Sequence, residues 1–210
     1  MRNSYGYAKV RVFIDFWNFA VDWRDLTREL PEKNLNWSKF PSVIIEHLDE
    51  ILPLRRIQKE LRAVKVYASI KPTEYISSSD TSQQDVYLEE KRGEWFRNYL
   101  DQLTAYTVDI TTQSQREMTC NFCNKDTGLF VEQGVDTKMA IDLVALASRD
   151  LFDIAVIITN DTDIIPSIKC VQDALDKQVV HIGVRGTSKN DVKNECWGHI
   201  FIEEMLADIA

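Results

Sequence analysis

The feature that most constrains the fold is a run of five apolar residues, 154–158, that ends in a cluster of polar side chains. The run is rich in β-branched residues, which predicts a strand buried on both faces, as in parallel sheets. Residues 159–163 (Thr-Asn-Asp-Thr-Asp) follow, and a helical pattern then begins with Pro166 in its first turn, where proline is tolerated. Asp161 and Asp163 are therefore expected at the carboxyl end of a central strand, where ligands bind in open α/β sheets. The alternative is structural, with one acid capping the helix and the other favouring its dipole.

A second acid-bearing strand end is predicted near the start of the chain. Residues 10–15 (Val-Arg-Val-Phe-Ile-Asp) are mostly apolar and predict a strand that ends at Asp15, and Asn18 follows three residues later. A carboxylate at a strand end and an amide one helical turn further on can face the same point. Here too the alternative is helix capping, by Asp15, with Asn18 as a solvated turn residue.

The helix predicted over residues 134–148 carries two further acids. Asp136 lies in its first turn, where it either caps the helix or joins the other acids. Asp142 lies in a segment that is apolar almost all round, and a buried carboxylate is costly unless it is paired or bound to a metal. Lys138 precedes Asp142 by four residues, so a plain helix pair between them is the structural alternative.

The order of predicted elements indicates an α/β fold with a mostly parallel central sheet flanked by helices. The predicted strands are 10–15, 63–70, 105–112, 154–158 and 178–184, the last of the parallel set; the predicted helices are 40–62 with a break at Pro53, 84–103, 134–148 and one beginning near residue 165. The length predicts a single domain, 1–210, with an insert at 113–133.

Such a sheet brings four acids to one edge: Asp15, Asp136, Asp161 and Asp163. Four carboxylates repel one another unless they are neutralised, and oxygen ligands select Mg²⁺ or Mn²⁺. An ion of this kind lowers the pKa of a bound water and stabilises charge on phosphoryl oxygens, as phosphodiester hydrolysis requires. The cluster contains no cysteine or histidine, which argues against a side-chain nucleophile, and the chain has no glycine-rich phosphate motif, which argues against a nucleotide cofactor.

The remaining composition excludes other classes of protein. A net charge of −8 argues against coating nucleic acid by bulk positive charge. No segment approaches the roughly 18 apolar residues of a membrane span, and no signal peptide is recognisable, so we expect a cytoplasmic protein. RNA contacts would then come from local patches, at 55–65 or 185–193, with aromatic residues such as Trp17, Trp23 and Tyr75 available for stacking.

Cys120-Asn121-Phe122-Cys123 lies inside the insert and is similar to one knuckle of a zinc ribbon. A tetrahedral site needs two more ligands, which Cys196 and His199 or a second chain could supply. The third alternative is a pair of thiols with no metal.

Three segments together resemble the NYN domain, and most of all its bacterial LabA-like branch: residues 13–19 (Phe-Ile-Asp-Phe-Trp-Asn-Phe), 134–142 (Gly-Val-Asp-Thr-Lys-Met-Ala-Ile-Asp) and 158–166 (Ile-Thr-Asn-Asp-Thr-Asp-Ile-Ile-Pro). The resemblance spans about residues 9 to 184. It implies a Rossmann-like sandwich of the PIN type and metal-dependent cleavage of RNA, single-stranded or tRNA-like. PIN-like relatives often pair, which implies a homodimer.

By this resemblance, the metal ligands or their close neighbours would be Asp15, Asp136, Asp161 and Asp163. Asn18 would contact phosphate or support a ligand, Lys138 would meet a phosphate, and Asp142 would complete the site. The sequence departs from the family at Asn160, where many relatives have glycine, and at Gln133, where lysine is frequent.

Three functions compete. The first is a metal-dependent endoribonuclease. The second is a catalytically silent NYN scaffold that binds RNA or a protein partner, with its acids capping helices. The third is a phosphohydrolase of the haloacid dehalogenase type, which needs Asp-x-Asp after the first strand. Asp15-Phe16-Trp17 does not match that pattern, whereas the intact set of four acids favours the first function.

Overall fold

The computed structural model describes residues 7–51, 54, 57–71, 83–116, 123, 129–131, 134–185 and 190–210. The strands in this part of the chain are β1 (Tyr7–Asp15), β2 (Gln58–Ile70), β3 (Tyr106–Thr112), β4 (Ser114–Arg116), β5 (Leu129–Val131), β6 (Ile154–Ile158), β7 (Gln178–Gly183) and β8 (Gly198–Phe201). The helices are α1 (Phe16–Thr27), α2 (Pro31–Asn34), α3 (Phe40–His47), α4 (Gln83–Asn98), α5 (Val135–Ser148), α6 (Ile165–Lys169), α7 (Asn190–Glu195) and α8 (Ile202–Ile209).

The central sheet has six strands in the order β3-β2-β1-β6-β7-β8, and every adjacent pair is parallel. This confirms the predicted α/β class and parallel sheet. β1 and β6 are the two central strands. The strands β2 and β3 are added in chain order on the β1 side, and β7 and β8 are added in chain order on the β6 side. The order therefore reverses between β1 and β6, which creates a crevice at the carboxyl ends of these two strands.

Side chains from the two faces of the sheet enter two separate hydrophobic cores. Val12, Ile14 and Val156 belong to one core, packed under α1, α3 and α8. Phe13 and Ile157 belong to the other, packed under α5 and α6. All five residues of β6 are buried, as its unbroken apolar sequence predicts for a strand covered on both faces. Both strands that border the crevice are thus fixed from above and below.

Two predictions about the limits of the sheet were wrong. Residues 58–62, predicted as helix, form the first part of β2, where Gln58 to Leu61 pair with the start of β1. Burial alternates along this part of β2, so pairing with the neighbouring strand overrides the apparent helical spacing. The strand predicted at 178–184 is also not the last of the set, because β8 pairs with β7. The sequence predicts only a short extended stretch at 200–202 in this region, and a strand of four residues is too short to indicate from sequence that it joins the sheet.

The local predictions around the acid-bearing segments hold. α5 begins at Val135, after Gly134 with a φ of 83°, a left-handed conformation that glycine adopts without strain. Pro166 lies in the first turn of α6. The insert contains an antiparallel pair, β4 with β5. No helix among the described residues is long and apolar enough to cross a membrane.

Candidate active site

Asp15 is buried at the carboxyl end of β1, where it also caps α1. Its side chain is 2% exposed. The Asn18 backbone donates to Oδ1 at 3.2 Å, the Asn18 amide donates to Oδ2 at 2.5 Å, and the Thr159 hydroxyl donates to Oδ2 at 3.2 Å. Burial raises the pKa of Asp15, while the hydrogen bonds from Asn18 and Thr159 oppose that rise. The capping interpretation is correct, and the same contacts fix this carboxylate beside the end of β6.

Asp161 and Asp163 follow the end of β6 in a short 3₁₀ turn, Thr162–Ile164. Asp161 caps this turn by accepting a hydrogen bond from the Asp163 backbone at 2.8 Å. The Asp161 backbone donates to the Thr159 hydroxyl at 3.2 Å, so Thr159 contacts both acid-bearing segments. Asp163 is exposed and Asp161 is half-buried, so both acids remain accessible to solvent beside the end of β6.

Asp136, in the first turn of α5, joins these acids. Its pKa is raised to about 6 by partial burial, by the charges of Asp15, Asp161 and Asp163, and by a side-chain hydrogen bond with Asp15. Carboxylates whose charges raise the pKa of another carboxyl group lie close enough to interact with it. The structure therefore places the four predicted acids in one electrostatic cluster.

The donor set suits a hard cation, although its geometry is not preassembled. The described residues contain no three His, Cys, Asp or Glu side chains already arranged around one point as metal ligands. Burial and the charges of the other three acids favour the protonated form of Asp136. A cation bound by oxygen atoms would replace that proton and relieve the repulsion. The residues present fit Mg²⁺ or Mn²⁺ chemically.

Asn160, which precedes Asp161, contacts a fifth acid at this edge of the sheet, Asp22. The Asn160 amide nitrogen donates to Asp22 Oδ2, 2.5 Å away, while Asn160 Oδ1 is buried without a hydrogen-bond partner in the described structure. Asp22 lies on α1, four residues after Asn18 and seven after Asp15, which places the three on one helix face. Sequence analysis missed Asp22, although this spacing could have indicated it.

His181, on β7, supports the cluster from inside the sheet and was also missed. Its Nε2 atom lies 3.0 Å from the Thr159 carbonyl oxygen. Burial lowers the pKa of His181 to about 4, so the ring is neutral and donates from Nε2 at neutral pH. A Cβ atom at Gly183 would lie 2.5 Å from His181 Cε1. Glycine at 183 therefore makes room for the imidazole ring.

Asp142 and Lys138 have partners other than each other. Lys65 and Tyr67, both on β2, contact Asp142 Oδ2, with the tyrosine hydroxyl at 2.9 Å. Lys138 Nζ lies 2.5 Å from Asp109 on β3. These pairs tie α5 to the sheet. They account for the half-buried Asp142 carboxylate without a metal, and Lys138 is ion-paired in this state of the protein.

The cysteine prediction finds little support. Cys120 lies outside the described residues, and Cys123 is exposed and not disulfide-bonded. Burial raises the pKa of Cys196, a free thiol, to about 12, and no three His, Cys, Asp or Glu side chains of the described residues are arranged as metal ligands. The proposed pairing with Cys196 and His199 is therefore unsupported.

Most of the residues predicted to contact RNA are buried, bound to other side chains or outside the described residues. Arg55, Arg56, Tyr75 and Gln133 lie outside the described residues, and the described lysines of the first patch, Lys59 and Lys65, are ion-paired. Trp23 is buried in the core. Trp17 is half-buried beneath the Arg92 guanidinium, 4.7 Å from the ring centroid. In the second patch, Arg185 and Lys193 lie over the Phe201 ring.

Comparison with known proteins places this arrangement in context. The family model described as NYN domain matches residues 9–203, nearly the whole chain. The crystal structure of a protein of unknown function from Vibrio parahaemolyticus is similar, with a TM-score of 0.55 and 16% identity over 95% of this chain and 96% of that chain. At that identity the similarity shows the fold alone. No match was found among curated proteins.

Proposed function

Because the chain belongs to the NYN domain family, whose members are typically nucleases, we propose that it is a metal-dependent endoribonuclease that hydrolyses RNA phosphodiester bonds. The observation that carries this proposal is the gathering of Asp15, Asp136, Asp161 and Asp163 at the point where the strand order reverses. Membership of the LabA-like branch stays a prediction.

The four acids would hold one or two divalent cations, Mg²⁺ or Mn²⁺. When bound, such an ion supplies a hydroxide-like water and stabilises negative charge on the phosphoryl oxygens. The chain's own contribution is to orient the ligands. Asn18 and Thr159 hold the Asp15 carboxylate in one position, and the cap at Asp161 fixes the turn that presents Asp163. Asp163 is the exposed acid of the four, so it is the one most accessible to a water or a phosphate.

One specific observation favours the silent-scaffold alternative. Asp15 and Asp161 both accept hydrogen bonds from helical backbone N–H groups, so each has a structural role that needs no metal. That role does not explain Asp136, however. Its pKa is raised by partial burial and by the charges of the other three acids, and carboxyl groups with pKa values perturbed in this way cluster at functional sites.

The test is cleavage of a labelled single-stranded RNA and a folded tRNA in Mn²⁺, Mg²⁺ or EDTA. The key variant is Asp161→Asn, because asparagine caps a helix as well as aspartate and so removes the charge while keeping the turn. Asp173→Asn, which changes an exposed acid on another part of the surface, is the matched control.

We expect metal-dependent cleavage by the wild type and Asp173→Asn, and a loss of at least about a hundredfold in Asp161→Asn, which is the size of loss seen when one electrostatic contact to a transition state is removed. A wild type that binds Mn²⁺ but cuts neither RNA would favour the scaffold. Equal cleavage by wild type and Asp161→Asn would overturn the assignment of this acid.

A further inference from the structure

The contact between Asn160 and Asp22 fixes which way the asparagine amide faces. A carboxylate can only accept hydrogen bonds, so the atom that lies 2.5 Å from Asp22 Oδ2 must be the amide nitrogen. The amide oxygen is on the opposite branch of the side chain. Its direction is thus set by Asp22.

The oxygen left by this arrangement has no partner. Asn160 Oδ1 is buried and accepts no hydrogen bond within the described structure. A buried acceptor without a partner costs about 1–3 kcal/mol. Buried polar atoms without a partner are rare in folded proteins. One explanation for such an atom is that an ion or a water molecule binds it.

The position of Asn160 indicates what satisfies this oxygen. Its chain neighbours are Thr159, whose hydroxyl contacts Asp15, and Asp161, a member of the acidic cluster. Asp22 lies on the same helix face as Asp15 and Asn18. The orphaned oxygen therefore belongs to a residue that is flanked on both sides by residues of the proposed cation site, and amide carbonyls are ligands of hard cations.

We propose that Asn160 Oδ1 is a ligand of the divalent cation, directly or through one of its waters, and that Asp22 is a positioning residue that orients the amide. This inference rests on the proposed function, since it concerns the same ion. It assigns the site a neutral oxygen besides its four carboxylates. It also gives Asp22 a role outside the four acids.

The competing explanation is structural. In that case Asn160 only ties the end of β6 to α1 through its nitrogen, and its oxygen contributes nothing. The two explanations differ in what removal of the side chain does. A ligand affects cation affinity and leaves the metal-free stability equal or improved, because an unsatisfied acceptor is removed. If Asn160 only links β6 to α1, removing its side chain lowers the stability of the metal-free protein and leaves its cation affinity unchanged.

The experiment measures Mn²⁺ affinity by calorimetry and by the electron paramagnetic resonance signal of free Mn²⁺, together with the metal-free melting temperature. The variants are Asn160→Ala, Asp22→Asn and the double variant. Asn160→Gly is the second choice if Asn160→Ala does not fold. Asp25→Asn, which removes an exposed acid from the same helix, controls for loss of negative charge on α1.

We expect Asn160→Ala to weaken Mn²⁺ binding by at least about tenfold, the lower end of the effect of losing a group that orients a metal ligand, and Asp22→Asn to weaken it by no more than Asn160→Ala does. The double variant should bind no more weakly than Asn160→Ala, because Asp22 acts through Asn160. Asp25→Asn should bind like the wild type.

Unchanged Mn²⁺ affinity in Asn160→Ala, with a lowered metal-free melting temperature, would overturn the ligand role and establish the structural tie. Losses that multiply in the double variant would overturn the positioning role, because Asp22 would then act by its own charge. The two proposals fail separately. A wild type that binds no Mn²⁺ overturns the metal-dependent function itself, whereas a wild type that binds and cleaves alongside an unaffected Asn160→Ala overturns only this inference.

Discussion

His181 Nε2 and the Thr159 carbonyl oxygen lie 3.0 Å apart inside the sheet, and this contact joins β7 to the residue from which the acidic cluster is supported. The Thr159 hydroxyl meets Asp15 on one side and the Asp161 backbone on the other. A neutral imidazole that donates from Nε2 therefore holds the residue that fixes two acids. Its low pKa keeps it in this form throughout the neutral pH range.

Gly183→Ala tests whether this support depends on the space beside His181. The new Cβ would lie 2.5 Å from the ring, so the imidazole must move and the contact with Thr159 is lost. We expect a loss of about 1–3 kcal/mol of unfolding free energy, as for other overpacked sites, and weaker Mn²⁺ binding. Urea denaturation and calorimetry measure the two effects.

The control for this change is Gly198→Ala, on the neighbouring β8. A Cβ there would lie 3.2 Å from the methyl end of the flexible Ile51 side chain, which can shift. Equal stability losses in the two variants would show that the space beside His181 has no special role.

Asp136→Asn tests the repulsion within the acidic cluster. The pKa of Asp136 rises from its ordinary value near 4 to about 6 in the folded protein, so the folded state binds more protons between these values and loses stability as the pH rises through them. Asparagine removes that loss. We expect the metal-free variant to melt above the wild type at pH 7.5, with the difference shrinking toward pH 4, in paired thermal scans. A difference that stays constant with pH would contradict the raised pKa.

Cation binding should release protons in proportion to the charge state of Asp136. At pH 6, near its pKa of about 6, the Asp136 carboxyl is half protonated. A bound cation requires the ionised form, so binding should release about half a proton per protein molecule at pH 6 and almost none at pH 7.5. Calorimetry in two buffers of different ionisation enthalpy measures this number. The charges of Asp15, Asp161 and Asp163 act on the same carboxyl group, so Asp136→Asn is the reference. If this variant released as many protons as the wild type at pH 6, another acid would be the source.

Asp142→Ala should act on stability rather than on cation binding. The substitution leaves the Lys65 ammonium and the buried Tyr67 hydroxyl without their shared acceptor. We expect a loss of about 1–3 kcal/mol in urea denaturation, the usual cost of an unsatisfied polar group, with Mn²⁺ affinity within about twofold of the wild type, because sites without shared contacts behave independently. A stable variant that no longer binds Mn²⁺ would instead place Asp142 among the ligands, as the family resemblance implies.

Sequence analysis located the parts of the fold and site that have a local signature. Each of these parts is defined by a few consecutive residues. They are the apolar run of β6, the acids that follow it, and Pro166 in the first turn of α6. Contacts across the fold have no such signature. Asp22 meets Asn160 across 138 positions, and His181 meets Thr159 through the register of two parallel strands.

The pairing of Asp142 illustrates the same limit. Helical spacing predicted an ion pair with Lys138, four residues away. The lysine that pairs with Asp142 is instead Lys65, 77 positions earlier on β2. Local spacing identifies which partners are within reach on one helix. The sheet beneath the helix decides which partner is used.

The reversal of strand order between β1 and β6 has a consequence for synthesis of the chain. Thr159 reaches Asp15 across 144 positions, and the half of the sheet made from β1, β2 and β3 emerges from the ribosome long before β6. Until then, β1 has one unpaired edge and Asp15 has no neighbouring acids from the second half. A nascent chain can therefore contain half of its sheet without the complete acidic cluster, which can assemble only after Asp163 has been synthesised.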